Sequence, residues 1–138
     1  MSIIVDTGPL VAFLDKSDHH NYNVGKAFAE LEPPIFTTEG VITETLFLLQ
    51  RGSINPNWLF EIVVQGDIII KPVLTERQGI EKIRELIQTY SNVPASFADA
   101  SLIYLYENLN NASLFTLDSD FAVYRTSGGK LIQTVLPL

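Results

Sequence analysis

The chain has 138 residues, 46% hydrophobic and 18% charged, with nine Lys and Arg against 16 Asp and Glu and a formal charge of −7. That length and composition predict one globular domain spanning residues 1–138, with enough core to fold without staples. The acidic balance argues against a broad basic face for nucleic acid or an anionic membrane, and the absence of cysteine excludes disulfides, thiolate catalysis and Cys-based zinc sites.

No apolar run approaches the ~20 residues of a membrane span, and the opening MSIIVDTG lacks the basic start and apolar stretch of a signal peptide. The expectation is a soluble, cytoplasmic protein. In chain order, Ile3–Val5 is a short β-branched run that predicts a buried strand. Gly8–Leu14 reads as a helix opened by Pro9, and Asn23–Leu31 as a second, stopped before Pro33 and Pro34. A brief strand is expected at Ile35–Thr37, then a Leu-rich helix at Glu39–Gln50 ended by Gly52. Asn57–Gln65 predicts a helix and Asp67–Lys71 a strand. Thr75–Tyr90 is amphipathic and Phe97–Asn108 strongly apolar, both with helical spacing. Ser113–Thr116 and Leu131–Thr134 read as the last strands. Strands alternating with helices predict an α/β, three-layer fold with a mostly parallel sheet of about five strands. Sites in such sheets form outside the carboxyl ends of the strands.

Most acids look ordinary. Glu81 and Glu85 share a helix with Arg77, Lys82 and Arg84, the pattern of a solvated face. Four others do not. Asp6 and Asp118 follow predicted strands directly, where a site belongs, although each is also placed to cap the helix after it. Glu44 is mid-helix with Val41, Phe47 and Leu48 beside it, so it stands on an apolar face unless it snorkels to water. Asp99 has Leu102, Ile103 and Tyr106 at helical spacing, and with Ser96 it also spells the S-x-x-D of a capping box. Buried carboxylates in a group repel one another and are costly to charge. A divalent cation removes both penalties, and hard oxygen donors suit Mg²⁺ or Mn²⁺. Such an ion keeps positions open for a phosphate and an attacking water, which predicts hydrolysis of a phosphodiester. Thr7, Thr116 and Ser119 lie beside the strand-end acids, where their hydroxyls would orient a carboxylate or a water, or simply close turns.

These blocks resemble the PIN-domain nucleases, particularly the small VapC-type toxins. The residues that carry the resemblance are IIVDTGPLVAFLD, TTEGVITETLFLL, SFADASLIYLY and LFTLDSDF, in that order over nearly the whole chain. The tail FAVYRTSGGKLIQTVLP is similar to the ending of one PIN subfamily. The resemblance implies a metal-dependent ribonuclease whose acidic site, carried over by position, is Asp6, Glu44, Asp99 and Asp118, with Asp120 as a fifth candidate acid. It also implies a homodimer. Many such toxins pair with a small antitoxin protein that occludes the acidic pocket while other PIN proteins act alone, and the sequence leaves both cases open.

Arg125 and Lys130 follow the last acid and are candidates to hold RNA phosphates at the pocket mouth. Asp15 and Asp18 read as solvated loop residues, and His19 and His20 as a helix start with rings diverging. Trp58 predicts packing, inside or at a dimer interface. An aspartic protease built on the DTG at Asp6 is excluded by the alternating helices and strands. A phosphatase or receiver-like phosphoryl-transfer fold needs a nearby Asp-x-Asp or a strand-end Lys, and Thr7 and Gly8 after Asp6 count against the phosphatase. The alternative outside enzymology is a PIN fold that binds RNA or protein without cleaving it.

Overall fold

The computed structural model describes residues 1–92 and 95–135. The last two residues of the tail motif, 136 and 137, lie outside them. Five strands form one parallel sheet: β1 (Ser2–Val5), β2 (Ile35–Thr38), β3 (Ile68–Lys71), β4 (Ala112–Phe115) and β5 (Thr134–Val135), in the spatial order β3-β2-β1-β4-β5. The helices are α1 (Thr7–Leu14), α2 (Asn21–Glu30), α3 (Glu39–Arg51), α4 (Asn57–Val64), α5 (Arg77–Thr89) and α6 (Phe97–Asn108). They flank the sheet on both sides, completing the three layers that the alternation predicts.

The order of the strands places a site. From β1 the chain steps outward to β2 and β3, then returns past β1 to β4 and β5. The direction of winding therefore reverses between β1 and β4, and a crevice opens at their carboxyl ends. Val5 pairs with Phe115 across that junction. The next residue, Asp6, continues the ladder through its N–H to the Phe115 carbonyl at 3.0 Å.

Helix α6 carries the core. It is apolar nearly all round, and Ala98, Ala100, Leu102, Ile103 and Leu105 are buried. Each fully buried Leu or Ile contributes ~1.5–3 kcal/mol. Its first turn packs against the start of α3 so tightly that a Cβ on Gly40 would stand 2.9 Å from the Phe97 ring. Thr38 and Ser101 join hydroxyls at 2.7 Å beneath that contact, and Thr37 donates to the Val5 carbonyl at 2.8 Å. These bonds lock β1, β2, α3 and α6 together at the edge of the sheet where the crevice lies.

Among the boundaries that differ from the expected ones, two have a visible local cause. The last strand is Thr134–Val135, not Leu131–Thr134. Leu131 instead forms an antiparallel bridge with Arg125, because Thr126–Lys130 closes a tight loop, with Gly129 at φ +76. Helix α2 begins at Asn21 because Asp18 takes the His20 N–H and turns the chain two residues early. The His19 and His20 rings consequently lie 3.9 Å apart rather than diverging. Trp58 is 61% exposed and lines a surface hollow with Phe13, Leu14 and Ile62.

Candidate active site

An open hollow of about 340 Å³ lies at the carboxyl ends of β1 and β4. Asp6, Glu44, Asp99 and Asp118 all line it, with Thr7 and Leu48 beside them. Four elements supply the acids. Asp6 is the residue after β1, and Asp118 lies three past β4. Asp99 is in the first turn of α6, and Glu44 in the second turn of α3. Both helices start at this edge because helices crossing a parallel sheet run back against its strands.

Asp6 is the innermost acid, 5% exposed. One of its oxygens accepts the Thr7 N–H at 2.7 Å, and the other accepts the Thr116 hydroxyl at 2.7 Å. Thr116 Oγ1 in turn accepts the Asp118 N–H at 2.9 Å, so one hydroxyl links the two strand-end acids. Burial pushes the Asp6 carboxyl up to about 6, and the charges of Asp99 and Glu44 push the same way. Burial also raises Asp99, with Asp118 and Glu44 adding to it, against hydrogen bonds from Ser96 and Tyr124 that lower it. The four acids thus feel one another. Among the described residues none of them has a Lys, Arg or His partner, since the ion pairs there all lie on α5 and α6.

Capping and site placement prove compatible. Asp6 caps α1, Asp118 caps the 3₁₀ turn Ser119–Ala122 through the Asp120 N–H, and Ser96 with Asp99 forms a complete capping box. Each cap fixes a carboxylate in place and leaves part of it turned to the hollow. Glu44 is half-buried, and its apolar neighbours Phe47 and Leu48 are exposed, so it stands at the rim and not against the core. Asp118 is exposed.

Other expected positions lie elsewhere. Asp120 and Ser119 sit in the 3₁₀ turn and do not line the hollow. Arg125 is turned away, because its guanidinium Nη1 donates to the carbonyls of Ala122, Val123 and Tyr124. Lys130 lines a separate hollow with Tyr106 and Asn111. Asp18, expected to be a loop acid only, lines the acidic hollow. Tyr124 is a further residue of this region that no sequence motif marks. It is fully buried, and its hydroxyl reaches Asp99.

The donor set suits a hard divalent cation: oxygen only, like-charged, partly buried and without a protein cation. No three His, Asp or Glu side chains among the described residues stand close enough in this conformation to grip an ion together. Ligation would therefore draw the carboxylates inward.

The PIN-domain family model matches residues 3–126. The chain belongs to the PIN-domain family. Among solved structures it is similar to the VapC20 toxin of Mycobacterium tuberculosis, described as cleaving the sarcin-ricin loop. The TM-score is 0.79 at 22% identity, over 88% of this chain and 94% of that one. No curated protein matches at a significant level. No helix among the described residues is long and apolar enough to cross a membrane.

Proposed function

We propose that this chain is an endoribonuclease that hydrolyses phosphodiester bonds with Mg²⁺ or Mn²⁺ held by Asp6, Glu44, Asp99 and Asp118. The observation that carries the reading is Asp6: a buried carboxylate at the switch point of the sheet, ringed by acids with no cation among the described residues to neutralise it. Bound there, the ion would supply Lewis acidity toward a phosphoryl oxygen and lower the pKa of its water. The protein's own part is positional. Thr116 and the Thr7 N–H fix both oxygens of Asp6, and the capping box fixes Asp99. Phosphates would approach through the exposed side, past Asp118 and Glu44.

Residues 1–138 are read as one such domain. Cleavage of the sarcin-ricin loop by the M. tuberculosis toxin supports the substrate class, and a toxin role with a small antitoxin belongs to the same reading. The exposed Phe47, Trp58, Phe60 and Val64 offer apolar surface for a second copy or such a partner. One observation favours a second reading, a PIN fold that binds without cleaving: the separation of the acids in this conformation.

The test is cleavage of a small RNA panel, including tRNA and unstructured RNA, with Mg²⁺, Mn²⁺ or chelator. Asp99→Asn is purified identically. Metal-dependent cleavage is expected, and the variant should lose more than the ~10–100-fold that removing a mere supporting group costs. Binding without cleavage at any metal concentration would favour the second reading, and equal cleavage by both proteins would sink the first.

A further inference from the structure

We propose that Tyr124 is a positioning residue of this site, aiming the Asp99 carboxylate at the hollow through its phenolic hydroxyl; this rests on the metal-dependent reading above. Tyr124 is fully buried and donates to Asp99 Oδ2 at 3.2 Å. The Ser96 N–H donates to the same oxygen at 3.3 Å. Both contacts fall on Oδ2, and among the described residues Oδ1 has none, so one oxygen is held and the other left free for a ligand. A phenol carries its proton at neutral pH and an ionised carboxylate can only accept, so Tyr124 is the donor in this contact.

The ring is itself held on several sides. Tyr90 meets it edge-on with centroids 4.9 Å apart, and Phe121 does so at 5.2 Å. The Tyr90 hydroxyl accepts the Arg125 N–H at 2.7 Å and donates back to the Arg125 carbonyl at 3.3 Å, which pins the backbone directly after Tyr124. A residue needed only for packing here would be served by Phe, since a buried hydroxyl costs free energy unless bonded. A parallel exists eight positions earlier, where Thr116 grips Asp6 by a hydroxyl. The segment after β4 thus brackets the buried strand-end Asp6 and the half-buried helix-end Asp99, one hydroxyl each.

The experiment is a Mn²⁺ titration followed by electron paramagnetic resonance of the free ion, on wild type, Tyr124→Phe and Tyr90→Phe. Tyr124→Phe should keep its metal-free Tm within a few degrees, weaken Mn²⁺ about 10-fold or more, and lower kcat while leaving KM for RNA unchanged. Tyr90→Phe, whose hydroxyl serves only the Arg125 backbone, should bind Mn²⁺ like wild type. Wild-type affinity in Tyr124→Phe overturns the proposal alone. Equal weakening in both variants overturns it too, since the effect is then one of packing. Wild type that binds no Mn²⁺ overturns the metal reading and this proposal with it. Should Tyr124→Phe not fold, wild type labelled with ¹³C at tyrosine Cζ decides: the buried tyrosine signal must move on adding Mg²⁺, and an unmoved signal overturns the proposal.

Discussion

The molecule gathers acids in two places and treats them in opposite ways. On α5 and α6, Lys82 lies between Glu85 and Glu107, 3.8 Å from each, and also meets Ser127. Its side chain is only 16% exposed, and Glu107 is 17% exposed. That cluster sets one cation between two acids, keeps Lys82 and Glu107 largely buried, and is cross-linked to the loop after β4 through Ser127. At the carboxyl ends of β1 and β4, by contrast, the charge has no protein partner among the described residues. The difference teaches that burial of an acid is not the signal of a site; burial without a counter-charge is. A fold keeps such a group at a cost in stability, and the cost is met only when something positive arrives.

The largest expected effect comes from the unpaired side. The Asp6 carboxyl sits at about 6 against an ordinary 3.8, so the folded state holds its proton where the unfolded chain has already lost it. The stability tied to that proton is present in acid and is lost as pH rises from about 4 to about 6, by roughly 3 kcal/mol. The charges of Asp99 and Glu44, which face the same group, are part of that shift, after burial. Thermal unfolding of metal-free protein from pH 4 to pH 7 should show the decline, and Asp6→Asn should flatten it. An unchanged slope in the variant would mean that the two clusters differ less than their geometry says.

A smaller effect is expected from the paired side. Lys82→Met leaves Glu107 largely buried and without its cation, costing about 1–3 kcal/mol in urea unfolding at pH 7. RNA cleavage by that variant should equal wild type, because the cluster is structural. The smallest effect belongs to the more solvated pair on the same helix. Arg77 is 90% exposed at 2.9 Å from Glu81, and Arg77→Ala should move stability by less than about 0.5 kcal/mol. A cost for it rivalling that of Lys82→Met would show that burial does not grade these pairs.

The four acids were legible in the sequence because each sits at a position where local structure and chemistry disagree or coincide: after a strand, on an apolar helical face, in a capping box. What the sequence hid was long-range. Asp18 reads as a loop acid because nothing local says that the turn between α1 and α2 passes the carboxyl end of β1. Arg125 reads as a free cation because the curl of its own backbone, which offers three carbonyls, is not written in its neighbours. Nothing in the sequence around Tyr124 marks it, and only its contact with Asp99 across 25 positions sets it apart. Leu131 has the composition of a strand, yet the glycine turn before it sends it back to Arg125 instead. Periodicity reports burial, and it is silent on which partners a buried group will meet.

The placement of β4 beside β1 has a consequence for how the protein comes into being. Val5 waits for Phe115, and Asp6 waits for Thr116, a span of about four-fifths of the chain. Contacts so distant in sequence form late, after the loop entropy between them has been spent. A nascent chain emerging from the ribosome therefore carries Asp6, Glu44 and even Asp99 without a site to put them in. On the proposed reading, an enzyme hazardous to the RNA around its own birthplace stays harmless until the segment at Phe115–Asp118 has left the ribosome.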